Sequence, residues 1–519
     1  MADRVLVSPG KDIWQYLDDR RVRYRLLVTG FALLMIIVAL IGGYLIGTTD
    51  YDYAVLFGVI GVVVAMLVAV RPVLGVYILT ITVYLNLSDL LEINLGIPSA
   101  NKWLVALIFV GVVANHIVLY RRPLALGRTQ WLIIMYGVLL LIGALQAEEQ
   151  SVAVSQFTDW VKDFVILFIV VQVTINARVW MRMQWLLILS AGLVAALSVY
   201  QIVTNDVGNT FWGLAKAPVH QITSGFDSTR VTGPLDDPNF YAQILLMVFP
   251  LAVYRFLEER FLVLRVMGGV AAALIAAAAI FTYSRGALIS LAVIGILVTR
   301  ERQWSPYKAA VIAVAVAVVL VAIFPVGYWE RFVQLRDLFV SDTELQTERS
   351  LRGRTSEMII AWQMFLDHPL LGVGPGNYDK NYLDYSFLLG IDSRLQERQA
   401  HSLYLETAAE LGAVGLAVLF GIILSTFASL RSAKRMLKAS HRSDLIPWVT
   451  GLQYGFTSYL ITSIFLHGDY IRYFWLLLAF ALSSEGIARS LLQQHRARRE
   501  REAAGNQNLF VLRETVRIS

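Results

Sequence analysis

Long apolar runs, each closed by a short polar or basic break, recur along the chain from Leu26 to Ala488. A bilayer core takes roughly 20 apolar residues per helix, with a range of about 17–25. On that ruler the pattern predicts fourteen spans, over 26–47, 53–70, 73–92, 103–120, 130–146, 160–176, 181–204, 239–257, 264–282, 286–299, 308–325, 402–430, 446–466 and 471–488. The expected fold is all-α, a polytopic integral membrane protein of about 14 transmembrane helices with one large extracytoplasmic loop. It divides into an N-terminal segment (1–25), eleven helices (26–325), the loop (326–400), three helices (401–488) and a basic, partly disordered tail (489–519). Arg20, Arg21, Arg23 and Arg25 precede the first span like the basic start of a signal peptide. No small-residue cleavage site follows, so an uncleaved first helix is expected.

Composition sharpens this picture. Hydrophobic residues make up 57% of the 519 and charged residues 16%, whereas soluble domains run near 45–50% and about 25%. The absence of cysteine excludes disulfides, thiolate metal sites and cysteine nucleophiles. A net charge of +6 raises the question of nucleic acid, and the placement of the charges answers it. With the N-terminus in the cytoplasm, predicted inner segments hold 30 of the 44 basic residues, and outer segments 13, of which 8 lie in the long loop. Long loops are exempt from the positive-inside rule, so the basic charge is mainly a topology signal and no nucleic-acid partner is expected. Both termini are placed in the cytoplasm.

Two outer loops stand out, one from about Asn205 to Pro238 and one from Pro325 to Ala400. Within the second, SEMIIAWQMFL (356–366) has helical spacing, with Ser356 as N-cap and Pro369 as stop, before a glycine-rich turn, LGVGPGNY (371–378). The outer face also carries the residues able to do chemistry. Arg285 lies in a tight turn, FTYSRGAL, where a guanidinium can fork onto phosphate oxygens or snorkel to headgroups. Arg230 precedes the turn residues Gly233–Pro234 and Asp237–Pro238. Asp236, Asp237 and Asn239 read either as helix caps or as metal ligands. Arg352 and Arg354 stand just before the expected loop helix.

His401 begins AHSLYLETAAELG, where the long loop returns to the membrane, and a histidine there is suited to act as a general base. Of the seven histidines, only His220, His368, His401 and His467 are placed for outer-face chemistry, and His368 reads as closing a helix. Glu406 and Glu410 follow one turn apart inside a span, where ionisable groups default to a functional hypothesis. His467, Asp469 and Arg472 share another outer turn. Several arginines with one histidine at the outer boundary suit a lipid diphosphate carrying a group to be transferred. No nucleotide-binding loop is present in the sequence.

The segments TYSRGALISL (282–291), GRTSEMIIAWQMFLDHPLLGVGPGNY (353–378) and HSLYLETAAELGAVGL (401–416) resemble the O-antigen ligase and polymerase superfamily of bacterial membrane glycosyltransferases. The resemblance covers roughly residues 225–470. It implies transfer of glycans from an undecaprenyl diphosphate carrier on the extracytoplasmic face, inverting, with no metal, nucleotide or other cofactor. It further implies that His401 is catalytic and that Arg285 and Arg354 bind the diphosphate, with Arg230 assisting; Arg352, by its place before the expected loop helix, is a further phosphate-binding candidate. Glu406, Glu410, His467, Asp469 and Arg472 are supporting candidates. The expected partners are the lipid-linked glycan donor, a glycan or lipid acceptor, the bilayer and envelope polysaccharide assembly proteins. The family's ligases have about twelve spans and often an asparagine after the histidine. Here Ser402 follows His401, and about fourteen spans with a basic tail suit a polymerase of O-antigen, capsule or exopolysaccharide better than a ligase to the lipid A core of lipopolysaccharide. The rival is a lipid-linked oligosaccharide flippase, for which Asn86 and Asp89 inside the third span speak.

Overall fold

The structure, a computed structural model, describes residues 29–30, 67–68, 71–96, 100–113, 127–223, 226–305, 307–308, 344–391, 396–468 and 471–518. The expected spans 26–47, 53–70 and 308–325 lie almost wholly outside them, as does the C-terminal half of 103–120. Within them the backbone is predominantly helical. The helices are α1 (Pro72–Tyr84), α2 (Leu87–Leu95), α3 (Ala100–Val113), α4 (Arg128–Gln146), α5 (Gln150–Val173), α6 (Ala177–Thr204), α7 (Pro238–Glu258) and α8 (Leu262–Phe281). They continue with α9 (Arg285–Glu301), α10 (Glu344–Asp367), α11 (Tyr378–Leu389), α12 (Leu403–Ala439), α13 (Ile446–Thr462) and α14 (Arg472–Ile518). Six of the described helices (α4, α6, α7, α8, α12 and the first 31 residues of α14) are long and apolar enough to cross a membrane. Counting the bent pair α1–α2 as one span gives seven.

The bundle is organised around α7. Of its most apolar stretch 78% is buried, against 33% for α8 at the rim. Asp237 starts α7 by accepting hydrogen bonds from the backbone N–H groups of Asn239 (2.6 Å) and Phe240 (3.1 Å), with Pro238 in the first turn where no N–H is needed. Helix α13 approaches α7 through Gly451 and Gly455. A Cβ on Gly455 would lie 2.2 Å from the Met247 carbonyl oxygen, so these two small residues, four apart, set the close approach. The alanine-rich stretch of α8 packs closely too, with Ala271 against Gly192 of α6.

Three departures from the sequence pattern fall in or beside the segments expected on the outer face. First, the stretch expected as one span, 73–92, is bent by 70°. Asn86 takes a left-handed conformation (φ 53°), and its Nδ2 donates to the Pro234 carbonyl at 3.3 Å, so a buried tertiary contact replaces helix continuity. Second, the segment expected as a plain loop after Asn205 contains an antiparallel hairpin, β1 (Val219–Thr223) and β2 (Phe226–Thr229). A Lys216–Gly233 bridge prolongs it, a short exception in a fold that is otherwise helical as expected. Third, the loop helix begins at Glu344, not at Ser356. Ser356 is therefore a buried mid-helix residue and not an N-cap, and Arg352 and Arg354 lie within the helix instead of ahead of it. The Glu-, Leu-, Gln- and Arg-rich stretch before Ser356 favours helix strongly enough to carry the turn across Gly353.

The glycine-rich turn between α10 and α11 is inserted into a break in α12. Gly412 leaves the helical region (φ 65°, ψ −164°), and the neighbouring backbone groups are satisfied by the turn. Val373 and Gly374 donate to the carbonyls of Ala409 (2.9 Å) and Glu410 (3.0 Å), while Ala413 donates to Pro369 (2.8 Å). On its other side Asn377 clasps Glu149 before α5, accepting from its N–H (2.9 Å) and donating to its carbonyl (3.3 Å). At the C-terminus α14 runs unbroken to Ile518, so the tail expected to be partly disordered is helical. Its alanine, glutamate and arginine residues are good helix formers, and pairs such as Arg498–Glu502 (2.8 Å) lie one turn apart.

Candidate functional site

His401 occupies a sharp turn (φ 46°) immediately before α12. The next turn of chain is held by the loop that follows α13. Leu403 N–H donates to the carbonyls of Ser463 (3.1 Å) and Leu466 (2.7 Å), and Gly468 N–H donates to Glu406 Oε2 at 2.7 Å. These bonds bring His467 edge-on to His401, with ring centroids 5.4 Å apart, while the far side of His467 meets Phe240 of α7 at 5.1 Å. On the other flank stands Glu357 of α10, whose Oε2 lies 3.5 Å from His401 Nε2. The Glu357 side chain is 2% exposed and that of His401 29%. A buried carboxylate thus backs a histidine that still reaches the surface. The backbone beneath Glu357 is fixed by the Tyr378 hydroxyl, which donates to its carbonyl at 2.7 Å. Burial, reinforced by Tyr382 and Glu357, holds the Tyr378 phenol well above its ordinary pKa, so it stays a neutral donor.

Two further arginines, Arg230 and Arg285, meet at the turn between α8 and α9. Arg230 Nε donates to the Thr282 carbonyl (2.8 Å) and Nη2 to Asn239 Oδ1 (3.3 Å), tying the hairpin to α7 and to the turn after α8. That turn passes through Tyr283 at positive φ (54°) and delivers Arg285, exposed, as the first residue of α9. A Cβ on Gly286 would lie 3.2 Å from Phe465, so the Arg285 turn abuts the His467 loop. Arg285 therefore combines a guanidinium with the unpaired N–H groups of a helix start, an arrangement that favours an anion.

The other candidates divide clearly. Arg354 sits three residues before Glu357 on the same face of α10, and Arg352 further back, both with side chains outside the described residues. Asp469 and the side chain of His220 also lie outside them. Glu406 and Glu410 brace backbone, Glu406 through Gly468 and Glu410 by accepting from Tyr378 N–H at 3.3 Å. Arg472 reaches Asp89 of α2 at 3.7 Å. Asp237 is a cap, Asp236 pairs with Lys216 (2.9 Å), and Asn239 accepts from Arg230. Among the described residues no three acids or histidines converge as a metal site, so the carboxylates near Arg230 read as structural. His368 follows the end of α10 and bonds back to Met364, as expected of a helix-closing residue. Glu357, Asn377 and Gly412 were not singled out from the sequence. Of these only Gly412 left a trace there, as a glycine inside an apolar run.

Glu357, the glycine-rich turn, His401 and the break in α12 thus form one unit with the turn that carries Arg285. Residues 270–420 match the family model described as O-antigen ligase. The resemblance to the O-antigen ligase and polymerase superfamily is therefore shown over the stretch that builds this unit. No curated protein matches the chain. The match supports a function of O-antigen ligase or polymerase type, and the long apolar helices fit a membrane setting. Arg230, Phe240 and His467 lie outside the matched residues, so the O-antigen ligase-like stretch receives one wall of its site from elsewhere in the chain.

Proposed function

We propose that the protein is an inverting glycosyltransferase that polymerises glycans from an undecaprenyl diphosphate carrier at the extracytoplasmic face of a bacterial inner membrane. Fourteen spans with both termini in the cytoplasm complete this reading. The observation that carries it is His401, partly exposed, with the buried Glu357 carboxylate 3.5 Å behind it. In the reaction His401 takes the proton of an acceptor hydroxyl, whose oxygen attacks the anomeric carbon of the donor. The bond to the diphosphate breaks, the electron pair leaves with the phosphate, and the configuration inverts. Glu357 orients the ring and stabilises the imidazolium once the proton has arrived, the role of the acid in hydrolase triads. Arg285, Arg354 and Arg230 offset the charge developing on the diphosphate, a task that needs oriented cations in a partly dry site. Arginines supply that charge here without a metal ion, so added chelator should leave the rate unchanged.

The test is glycan formation in membranes carrying His401→Ala or Arg285→Ala at normal protein levels. Product should fall at least about 100-fold for His401→Ala, the usual contribution of a positioned general base. Product at the level of the unsubstituted protein would overturn the assignment. A strain lacking the protein separates the subtypes. Single repeats on the acceptor indicate a polymerase, and free polymer on its carrier indicates a ligase.

A flippase is the second reading, favoured by the 70° break between α1 and α2, since transporters bind substrate at broken helices. At that break Asn86 Nδ2 is engaged by the Pro234 carbonyl and Asp89 by Arg472. Translocation of lipid-linked glycan by the purified protein without bond formation would favour the flippase.

A further inference from the structure

The end of α12 remote from His401 carries a second set of cations. Arg431, Lys434 and Arg435 line a cavity of about 550 Å³ together with the exposed Ala428. Among the described residues neither arginine has a hydrogen-bond or ion-pair partner. Glu301 is within electrostatic reach of Lys434, and its carboxylate accepts a hydrogen bond from the Tyr254 hydroxyl. A cluster of three cations around a cavity of this size has room for a phosphate group and its substituents.

The helix surface leading to the cavity is apolar. Phe420, Leu424, Ala428, Arg431 and Arg435 follow one another at intervals of three and four residues, so they share one face of α12. Phe420 is 44% exposed and Leu424 68%. From Ala413 to Leu430 the unbroken helix rises roughly 27 Å, close to the hydrocarbon thickness of a bilayer. With the break at Gly412 near one boundary, Arg431, Lys434 and Arg435 fall at the headgroup level of the other. One stripe therefore passes from exposed apolar side chains inside the membrane to unpaired cations at its surface.

We propose that this cavity binds the headgroup phosphate of an anionic phospholipid from the leaflet opposite His401. The acyl chain lies along Phe420 and Leu424, and the phosphate sits among Arg431, Lys434 and Arg435, where guanidinium groups make charge-assisted bonds to its oxygens. The shared chemistry, phosphate on arginine, would also admit free inorganic phosphate. The apolar track above the cations is what selects the lipid.

The full-length protein in nanodiscs tests this, with discs of phosphatidylcholine alone or doped with phosphatidylglycerol, and retained lipid counted by native mass spectrometry. Phosphatidylglycerol should be retained in preference to phosphatidylcholine. Retention should weaken roughly 30-fold in R431Q/R435Q, the expected loss for two cations beside an anionic headgroup. R498Q/R499Q, which removes two exposed charges from α14, should retain lipid unchanged. Ala428→Glu, which adds an anion at the cavity without removing a cation, should abolish the preference and serves if the double variant does not fold. Equal retention in R431Q/R435Q and Ala428→Glu overturns the proposal. So does displacement of the lipid by millimolar inorganic phosphate, which would mark a free-anion site.

Discussion

The two ends of α12 solve opposite problems with the same helix. At the His401 end the polar groups are anchored. His401 faces Glu357, Glu406 holds Gly468, Glu410 holds Tyr378, and the broken turn at Gly412 is filled by the backbone of residues 369–374. At the other end Arg431 and Arg435 face an open cavity with no partner among the described residues. The first arrangement fixes positions, which a chemical step requires, since small displacements of reacting groups cost large factors in rate. The second offers charge without fixed geometry, which suffices for a headgroup that arrives with its own mobility. Substitutions at the first end should therefore act through geometry, and those at the second through charge.

Gly412→Ala should have the largest effect. Its backbone conformation is one that only glycine adopts readily. A Cβ there would lie 2.3 Å from the Leu370 carbonyl carbon and oxygen, which are main chain and cannot swing aside. The outcome expected is little or no folded protein, read as yield and unfolding temperature in detergent. Gly295→Ala is the contrast. It lies inside α9 with open space around its Cβ position, and should leave stability unchanged or gain up to about 1 kcal/mol. If both variants behave alike, the inserted turn does not hold the site.

Glu357→Gln comes next. It preserves shape and removes only the charge behind His401. Glycan formation should fall roughly 100-fold at normal protein levels, with the pH dependence of the rate displaced as well. Glu357→Asp should restore part of the rate. A loss of rate with an unmoved pH profile would reduce Glu357 to packing. Asn377→Ala is smaller again. It removes the two side-chain bonds that clasp the Glu149 backbone, which water still reaches, at about 1–3 kcal/mol for two bonds of ordinary worth. A drop in unfolding temperature of a few degrees, with activity per folded molecule largely kept, is the expected signature.

How much of this was legible in the sequence depends on whether the information was local. The apolar runs announced helices, because each span satisfies its own backbone and needs no neighbour. Arg285 and His401 were legible because they violate a local expectation, falling where the span pattern predicts an outer boundary and basic groups are scarce. Glu357 was invisible for the converse reason. In SEMIIAWQ it is one polar residue on an amphipathic helix, and its value comes from His401, far along the chain. The break at Gly412 and the bend at Asn86 escaped for the same cause. Each is stabilised by a partner that periodicity cannot name, the turn 369–374 in one case and the Pro234 carbonyl in the other. The hairpin before α7 was hidden inside a polar segment that reads as loop until its two strands are paired.

The smallest effect belongs to the connection between α12 and α13. Arg442 Nε and Nη2 reach the two carboxylate oxygens of Asp444, each at 2.9 Å, a bidentate geometry that would suit a buried pair. Here both side chains are well exposed, so water and salt screen most of the attraction, and Arg442→Gln should cost less than about 1 kcal/mol. The hydrogen bond from Arg442 holds the Asp444 carboxyl below its ordinary pKa. A depressed acid contributes stability above its unfolded value, near pH 4, and loses it as pH falls through the folded one. The difference between Arg442→Gln and the unsubstituted protein should therefore be present at neutral pH and vanish on acidification. A loss of several kcal/mol would mean that this connection is as tightly determined as the His401 end, and the contrast between the two ends of α12 would fail.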